Sequence, residues 1–349
     1  MIQPPRITVP GLVRIKGGAL ARLGLYLRRE GHGRVVVAAS AGLPGGVLDT
    51  VRQGLAREGV QAVRWVEVEN NEFETAAALF AELPGGVGAV VGLGGGKALD
   101  IAKYLAYLAR RPYFAAPTAL SHDGFCSPQA SLTIKGRRRS LAAALPHGVV
   151  VDVAVCLEAP RILWLSGLGD LVSKLSAVFD WKLAFHHRGE PVEDLAALLS
   201  DATVHQFLAN PEFTPQGMIH LGTALMLNGI AMEICGSSRP ASGSEHLISH
   251  ALDELAARPR LHGLQVGMAT YVTCRLQGQR ADTVDRLFQT TGFWDAIRAD
   301  PFAREDWLAA LALAPSLKED FFTVLSTRDC LPEFRAMLDE DPRLAGCFV

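Results

Sequence analysis

Between Arg34 and Val153 short β-branched runs alternate with helical stretches, and after Cys156 the strand signals nearly vanish. This change of texture limits the fold more than any other feature of the chain. RVVVAAS (34–40), VRWVEVE (63–69), GAVVGL (88–93) and YFAAP (113–117) have the length and Val content of strands. GVLDTVRQGLAREG (46–59), FETAAALFAEL (73–83) and KALDIAKYLAYLAR (97–110) lie between them with helical spacing. Near-continuous apolar strands separated by helices predict a parallel sheet covered on both faces. ASLTI (130–134) and SLAAAL (140–145), joined by KGRRR, read as a hairpin appended to that sheet, and GVVVDVAV (148–155) closes the set. Leu/Ala-rich helical patterns begin with RILWLSGLGDLVSKLSAVFDWKLAF (161–185), and Pro191, Pro211, Pro240, Pro259 and Pro301 fall between them, where helices stop. The expectation is an α/β, Rossmann-like domain over 1–155 and an all-helical domain over 156–349, with the functional site in the cleft between them.

The 349 residues suffice for two cores. With 49% hydrophobic residues and a net charge of −2, the chain is too apolar for intrinsic disorder and too balanced in charge for general nucleic-acid binding. Gly, Pro or charge interrupts each apolar run before the roughly 18 residues that span a bilayer. MIQPPRITVPG lacks the layout of a secretory signal. Cys126, Cys156, Cys235, Cys274, Cys330 and Cys347 are scattered without a CxxC pair, which suggests reduced thiols and a cytoplasmic location.

Three clusters carry chemistry. Gly92 to Asp100 (GLGGGKALD) stands between a strand and a helix, where glycines let backbone approach a pyrophosphate and the helix N-terminus offers N–H donors. It matches neither GxGxxG nor a Walker A loop, and a ligand-free tight turn is the plain alternative. PTALSHDGFCSP (117–128) follows the fourth strand, at the carboxyl edge of the sheet. Its hydroxyls Thr118, Ser121 and Ser127 suit a phosphate or a carboxamide and Asp123 suits a substrate hydroxyl, though SHDG is also ordinary turn chemistry. The third cluster comprises Gly167-Leu168-Gly169-Asp170, Ser242-Gly243-Ser244-Glu245-His246 and His262. His250 lies one turn after His246, so the spacing alone permits either an HxxxH metal pair completed by a carboxylate or two histidines on a buried polar face.

Together the motifs resemble the superfamily of glycerol dehydrogenase, iron-type alcohol dehydrogenases and dehydroquinate synthase. GGGKALDIAK is similar to its GGGxxxDxxK nucleotide loop. PTALSHDGFCSP, SGLGDLVSKLSAVFDWKLA, ASGSEHLISHALD and LHGLQVGMAT most resemble the sn-glycerol-1-phosphate dehydrogenase family. The likeness is good over about 90–275, loose before that and slight over the last 70 residues. It implies Asp170, His246 and His262 as ligands of one divalent metal (zinc first, nickel or iron otherwise), with His250 and Asp123 as substrate contacts and Asp170 shared between metal and substrate. Gly94, Gly95, Gly96, Lys97, Ala98 and Asp100, with Thr118, Leu120, Ser121 and Ser127, would hold NAD or NADP. The implied reaction is hydride transfer between the nicotinamide and C2 of dihydroxyacetone phosphate, the metal polarising the C2 oxygen. A homodimer or larger homo-oligomer is the family expectation.

Two positions depart from the family pattern: Lys174, where Asn is more usual, and Leu264, where Glu is. Lys174 lies one helical turn from Asp170, where it either supplies a cation to the substrate phosphate or signals a different substrate. Ala39-Ser40 end the first strand without an acidic residue, so NAD and NADP both remain open. The rival readings are a dehydrogenase of an unphosphorylated polyol, a sugar-phosphate cyclase like dehydroquinate synthase, and a non-enzymatic metal- or nucleotide-binding protein. A cationic substrate pocket separates the first from the main reading. Asp170 argues against the cyclase, which favours Glu as its first ligand.

Overall fold

A computed structural model describes residues 8–318 and 320–349. The chain divides into two units, one running to Pro160 with Thr214–Ile234 added, the other comprising Arg161–Phe213 and Cys235–Val349.

The first unit carries strands β1 (Leu12–Lys16), β2 (Arg34–Ser40), β3 (Gln61–Val68), β4 (Ala89–Gly94), β5 (Tyr113–Pro117), β6 (Gln129–Ile134), β7 (Arg137–Ala142) and β8 (Gly148–Asp152). Its helices are α1 (Leu23–Arg29), α2 (Gly45–Arg57), α3 (Phe73–Ala81), α4 (Gly96–Ala109) and α5 (Val153–Glu158). Six strands form one parallel sheet in the order β1-β8-β5-β4-β2-β3. Alternate residues feed opposite faces. Val35, Val37, Val91 and Phe114 pack with α1 and α2, whereas Val36, Val90 and Ala115 pack with α3 and α4. From β2 the chain turns one way to β3 and the other way to β4, so the topological switch point lies between the carboxyl ends of β2 and β4.

Four details depart from the sequence reading. LVRIK is a strand, β1, short and half charged but paired in parallel with β8. Residues 153–155 begin α5 instead of extending β8, because the Asp152 carboxylate accepts the Ala154 N–H and caps a helix. The hairpin turns on Lys135 and Gly136 alone, both at positive φ, and Arg137, Arg138 and Arg139 belong to the exposed strand β7. Two stretches, Arg161–Arg188 and Pro215–Cys235, do have the length and apolar content to cross a bilayer. Of their most apolar windows, 83% and 61% lie buried in the structure, so the greater part of each is covered by the protein itself.

The second unit is helical: α6 (Arg161–Val172), α7 (Lys174–Arg188), α8 (Asp194–Leu208), then α10 (Ser244–Leu255), α11 (His262–Leu276), α12 (Ala281–Thr291), α13 (Phe293–Ala299), α14 (Arg304–Leu313) and α15 (Leu331–Glu340). Between them α9 (Pro215–Cys235) belongs by its contacts to the first unit. The backbone of α9 rests there on the loop after β5. A Cβ at Gly229 would lie 2.1 Å from the Cys126 carbonyl, and one at Gly222 would meet Leu120 and Ile15.

Candidate functional site

In the second unit, backbone packing brings the donors together. A Cβ at Gly169 would stand 2.0 Å from the Gly263 carbonyl, and one at Gly263 would stand 1.8 Å from the Ser166 carbonyl. Helices α6 and α11 therefore cross with almost no side chain between them, and the residue beside each glycine, Asp170 and His262, is carried to the crossing. His246 enters from the first turn of α10.

The ligand atoms of Asp170, His246 and His262 all lie within 4.8 Å of one another. Nε2 of His246 is 3.4 Å and Nε2 of His262 is 3.8 Å from Asp170 Oδ1. Two ligands each about 2.1 Å from a tetrahedral ion stand about 3.4 Å apart, so one carboxylate and two imidazoles at these separations fit a single divalent cation. His250 remains at the edge of the group, its ring centroid 6.2 Å from that of His262 and 6.4 Å from that of His246. Among the described residues the closed donor group takes His262, twelve residues further from His246 than the HxxxH spacing would put the second imidazole.

Each imidazole is held from behind. Glu245 Oε1 lies 2.9 Å from His246 Nδ1, and Ser249 Oγ lies 3.4 Å from His262 Nδ1. Burial works against charge on both Asp170 and His246. For Asp170 it is outweighed by Lys174 and the two imidazoles, which hold the carboxyl below its ordinary range. For His246 it is outweighed by Asp170 and Glu245, which raise the ring's pKa. Lys174 is fully buried, with Nζ donating to the Asp170 carbonyl (2.8 Å) and 3.6 Å from its carboxylate. Its ammonium is thus directed at Asp170, a different employment from a contact with the substrate phosphate.

In the first unit the glycine run sits at the switch point. Gly94 ends β4 at φ +126°, where a Cβ would lie 2.3 Å from Ser40 Oγ. Gly95 is extended (φ −89°), precedes the first residue of α4, and donates its N–H to Ser40 Oγ (2.9 Å). A Cβ at Gly95 would meet nothing nearer than that oxygen at 3.9 Å, so space is open above it. A glycine backbone with room over it at the N-terminus of a 14-residue helix suits a pyrophosphate. Thr118 joins the loop by donating its N–H to the Gly94 carbonyl, and His122 packs its ring on Gly96.

The other expected cofactor residues divide. Ser121 is half-buried at this edge and Lys97 is exposed, whereas Ala98 and Leu120 are buried among apolar side chains. Ser127 is buried and its hydroxyl is shared among the Gly124 and Gln129 carbonyls and Lys103 Nζ, which makes it a strut of the loop. Asp123 is half-buried at the head of the short turn Asp123–Cys126.

Two residues were not singled out by the sequence. Lys103, the last residue of the GGGxxxDxxK pattern, is fully buried and donates to the Gly124 and Gln129 carbonyls (2.5 and 2.7 Å) and to Asp100 (3.5 Å). It ties the loop carrying Asp123 to the helix carrying Asp100. Glu245 was legible only as the neighbour of His246.

The chain is similar to known proteins. A family described as "Iron-containing alcohol dehydrogenase" matches residues 14–160. A curated glycerol-1-phosphate dehydrogenase [NAD(P)+] of Thermofilum pendens is 35% identical over 90% of this chain and 92% of its own length. One of Methanothermobacter thermautotrophicus is 35% identical over 94% of each. The chain belongs to the glycerol-1-phosphate dehydrogenase family. Outside the family's sequence range, a probable glycerol dehydrogenase from Sinorhizobium meliloti shares the fold, with a TM-score of 0.73, 20% identity and 97% of each chain covered. Glycerol dehydrogenase from Schizosaccharomyces pombe does so with a TM-score of 0.74, 16% identity, and 99% of this chain and 91% of its own covered.

Proposed function

We propose that this member of the family interconverts dihydroxyacetone phosphate and sn-glycerol 1-phosphate with NAD(P)H. The observation that carries the reading is the Asp170–His246–His262 group, closed to single-ion distances in a chain about a third identical to curated glycerol-1-phosphate dehydrogenases. Asp170, His246 and His262 hold one divalent ion of zinc, nickel or iron type, borderline ions that an Asp/His/His donor set suits. The Gly94–Gly96 turn and the N-terminus of α4 hold the dinucleotide, with Thr118 and Ser121 at its rim. When bound, the ion supplies Lewis-acid polarisation at the substrate C2 oxygen and the nicotinamide supplies the hydride.

The protein's own groups do the rest. Asp123 binds a substrate hydroxyl. His250 is a neighbour of both imidazoles with a partly accessible ring, and it binds the substrate and passes the proton that C2–O requires. Lys174 balances the charge of Asp170. The substrate is thus a small molecule, and we place the enzyme in the cytoplasm as a homo-oligomer, in keeping with the family and with six free cysteines.

Oxidation of NADH and NADPH by the purified protein is measured with dihydroxyacetone phosphate and with dihydroxyacetone. The protein is first stripped with chelator and then reconstituted with Zn²⁺, Ni²⁺ or Fe²⁺. The expected result is metal-dependent turnover that favours the phosphorylated ketone. A preference for dihydroxyacetone would put an unphosphorylated polyol in its place.

A further inference from the structure

Glu245 is fully buried, yet its carboxylate is hydrogen-bonded at both oxygens. Oε1 accepts the Gly243 N–H (2.6 Å) and faces His246 Nδ1 (2.9 Å), while Oε2 accepts the Ser176 hydroxyl (2.8 Å). With both Glu245 oxygens already accepting hydrogens, the contact fits a ring that donates from Nδ1. A ring that donates from Nδ1 leaves Nε2, the atom facing Asp170, as the one to ligate an ion. Nothing in the reaction as described uses Glu245. Its support is elaborate for a residue of the core. Ser176 lies on α7, and the Gly243–Ser244 turn is anchored again by the Ser244 N–H donating to the buried Asp180 (2.8 Å). Asp180 in turn accepts from Gln277 and from the Val324 N–H.

We propose that Glu245 is a positioning residue of the metal centre, selecting the Nδ1–H tautomer of His246 and aiming its Nε2 at the ion. The inference rests on the reading of Asp170, His246 and His262 as metal ligands. What matters on this account is the reach of an acceptor oxygen to Nδ1 and not the negative charge. Glutamine keeps that reach: its carbonyl takes the place of Oε1, and its amide donates to Ser176 Oγ, whose hydrogen can turn to the Ser173 carbonyl 2.9 Å away. Aspartate keeps the charge and loses a methylene of reach.

Zn²⁺ affinity is measured by chelator competition on the parent, Glu245→Gln, Glu245→Asp and His246→Ala. NAD(P)H binding, whose residues lie in the other unit, monitors folding. Glu245→Asp is expected to bind Zn²⁺ about 10- to 100-fold more weakly, the usual loss when a partner behind a ligating imidazole is withdrawn. Glu245→Gln is expected to stay close to the parent. The visible spectrum of the Co²⁺-loaded proteins should follow the same division. The proposal is overturned if Glu245→Asp binds as the parent does, or if a folded Glu245→Gln loses the metal. Should Glu245→Asp fail to fold, Glu245→Gln decides. Failure of the metal reading looks different: the parent and His246→Ala would then bind Zn²⁺ equally.

Discussion

Lys174 presents an ammonium group to a carboxylate, and neither side chain reaches solvent. Removing one partner of a buried ion pair costs about 3–5 kcal/mol, because the other charge is left unbalanced in a poorly polarisable interior. Lys174→Met should therefore lower the unfolding midpoint sharply in chelator, where Asp170 keeps only the imidazoles. A divalent ion replaces the missing charge, so Zn²⁺ should raise the midpoint of the variant more than that of the parent. Thermal unfolding with EDTA and with Zn²⁺ checks this, and an equal deficit in both would place the role of Lys174 away from Asp170. Turnover on phosphorylated and unphosphorylated ketones should fall together, whereas a phosphate contact would spare the unphosphorylated one. The sequence shows the one-turn spacing of Asp170 and Lys174, but spacing cannot say whether a long side chain folds back onto its neighbour or reaches out to a ligand. The histidines teach a similar lesson. His246 and His250 stand one turn apart, and spacing alone leaves the second imidazole open; the family resemblance implies His262, and the crossing of α6 and α11 is what carries it to the donor group.

At the scale of an element, the turn between β4 and α4 assigns separate tasks to adjacent glycines. Gly94 is required by the fold: its φ of +126° and the Ser40 hydroxyl both exclude a side chain. Gly95 is extended and its missing Cβ faces open space, so the fold itself would accept alanine there. Gly94→Ala should destabilise the protein. Gly95→Ala should melt with the parent but raise the KM for NAD(P)H, and tenfold corresponds to about 1.4 kcal/mol of lost approach. Melting curves and KM measured on both variants separate the two tasks; an unchanged KM in Gly95→Ala would make the run a turn and nothing more. The strand–glycine–helix order is legible in sequence because β4 is uninterrupted apolar residues and α4 is strongly periodic. Which glycine carries the positive φ is not, since that depends on Ser40, 54 residues before Gly94 and brought beside it by the pairing of β2 with β4. Strand β1 is missed for a related reason: LVRIK acquires its strand character from β8, far away in the chain.

Over the whole molecule, the chain passes from the first unit to the second after Pro160 and returns for Thr214–Ile234 before leaving again. Composition cannot reveal that return, because α9 is as rich in Leu, Ala and Met as the helices around it. The contact that settles it is made by backbone, where Gly229 lets α9 lie against the Cys126 carbonyl and Gly222 admits Leu120. The segment so covered, Leu120 to Cys126, includes Asp123 and runs into the strut made by Lys103 and Ser127. Leu120, Phe125 and Cys126 are all buried, and full burial of a Leu or Phe side chain is worth about 1.5–3 kcal/mol. Set against a typical domain stability of about 5–15 kcal/mol, baring this loop removes much of the margin. A fragment of residues 1–160 should therefore show no cooperative thermal transition and bind NAD(P)H poorly, although it contains all eight strands and the entire glycine loop. Joining residues 214–234 to its end through a flexible linker should restore both the transition and the binding. Cooperative melting and parental cofactor affinity in the 1–160 fragment alone would show that α9 is dispensable to the unit it packs on.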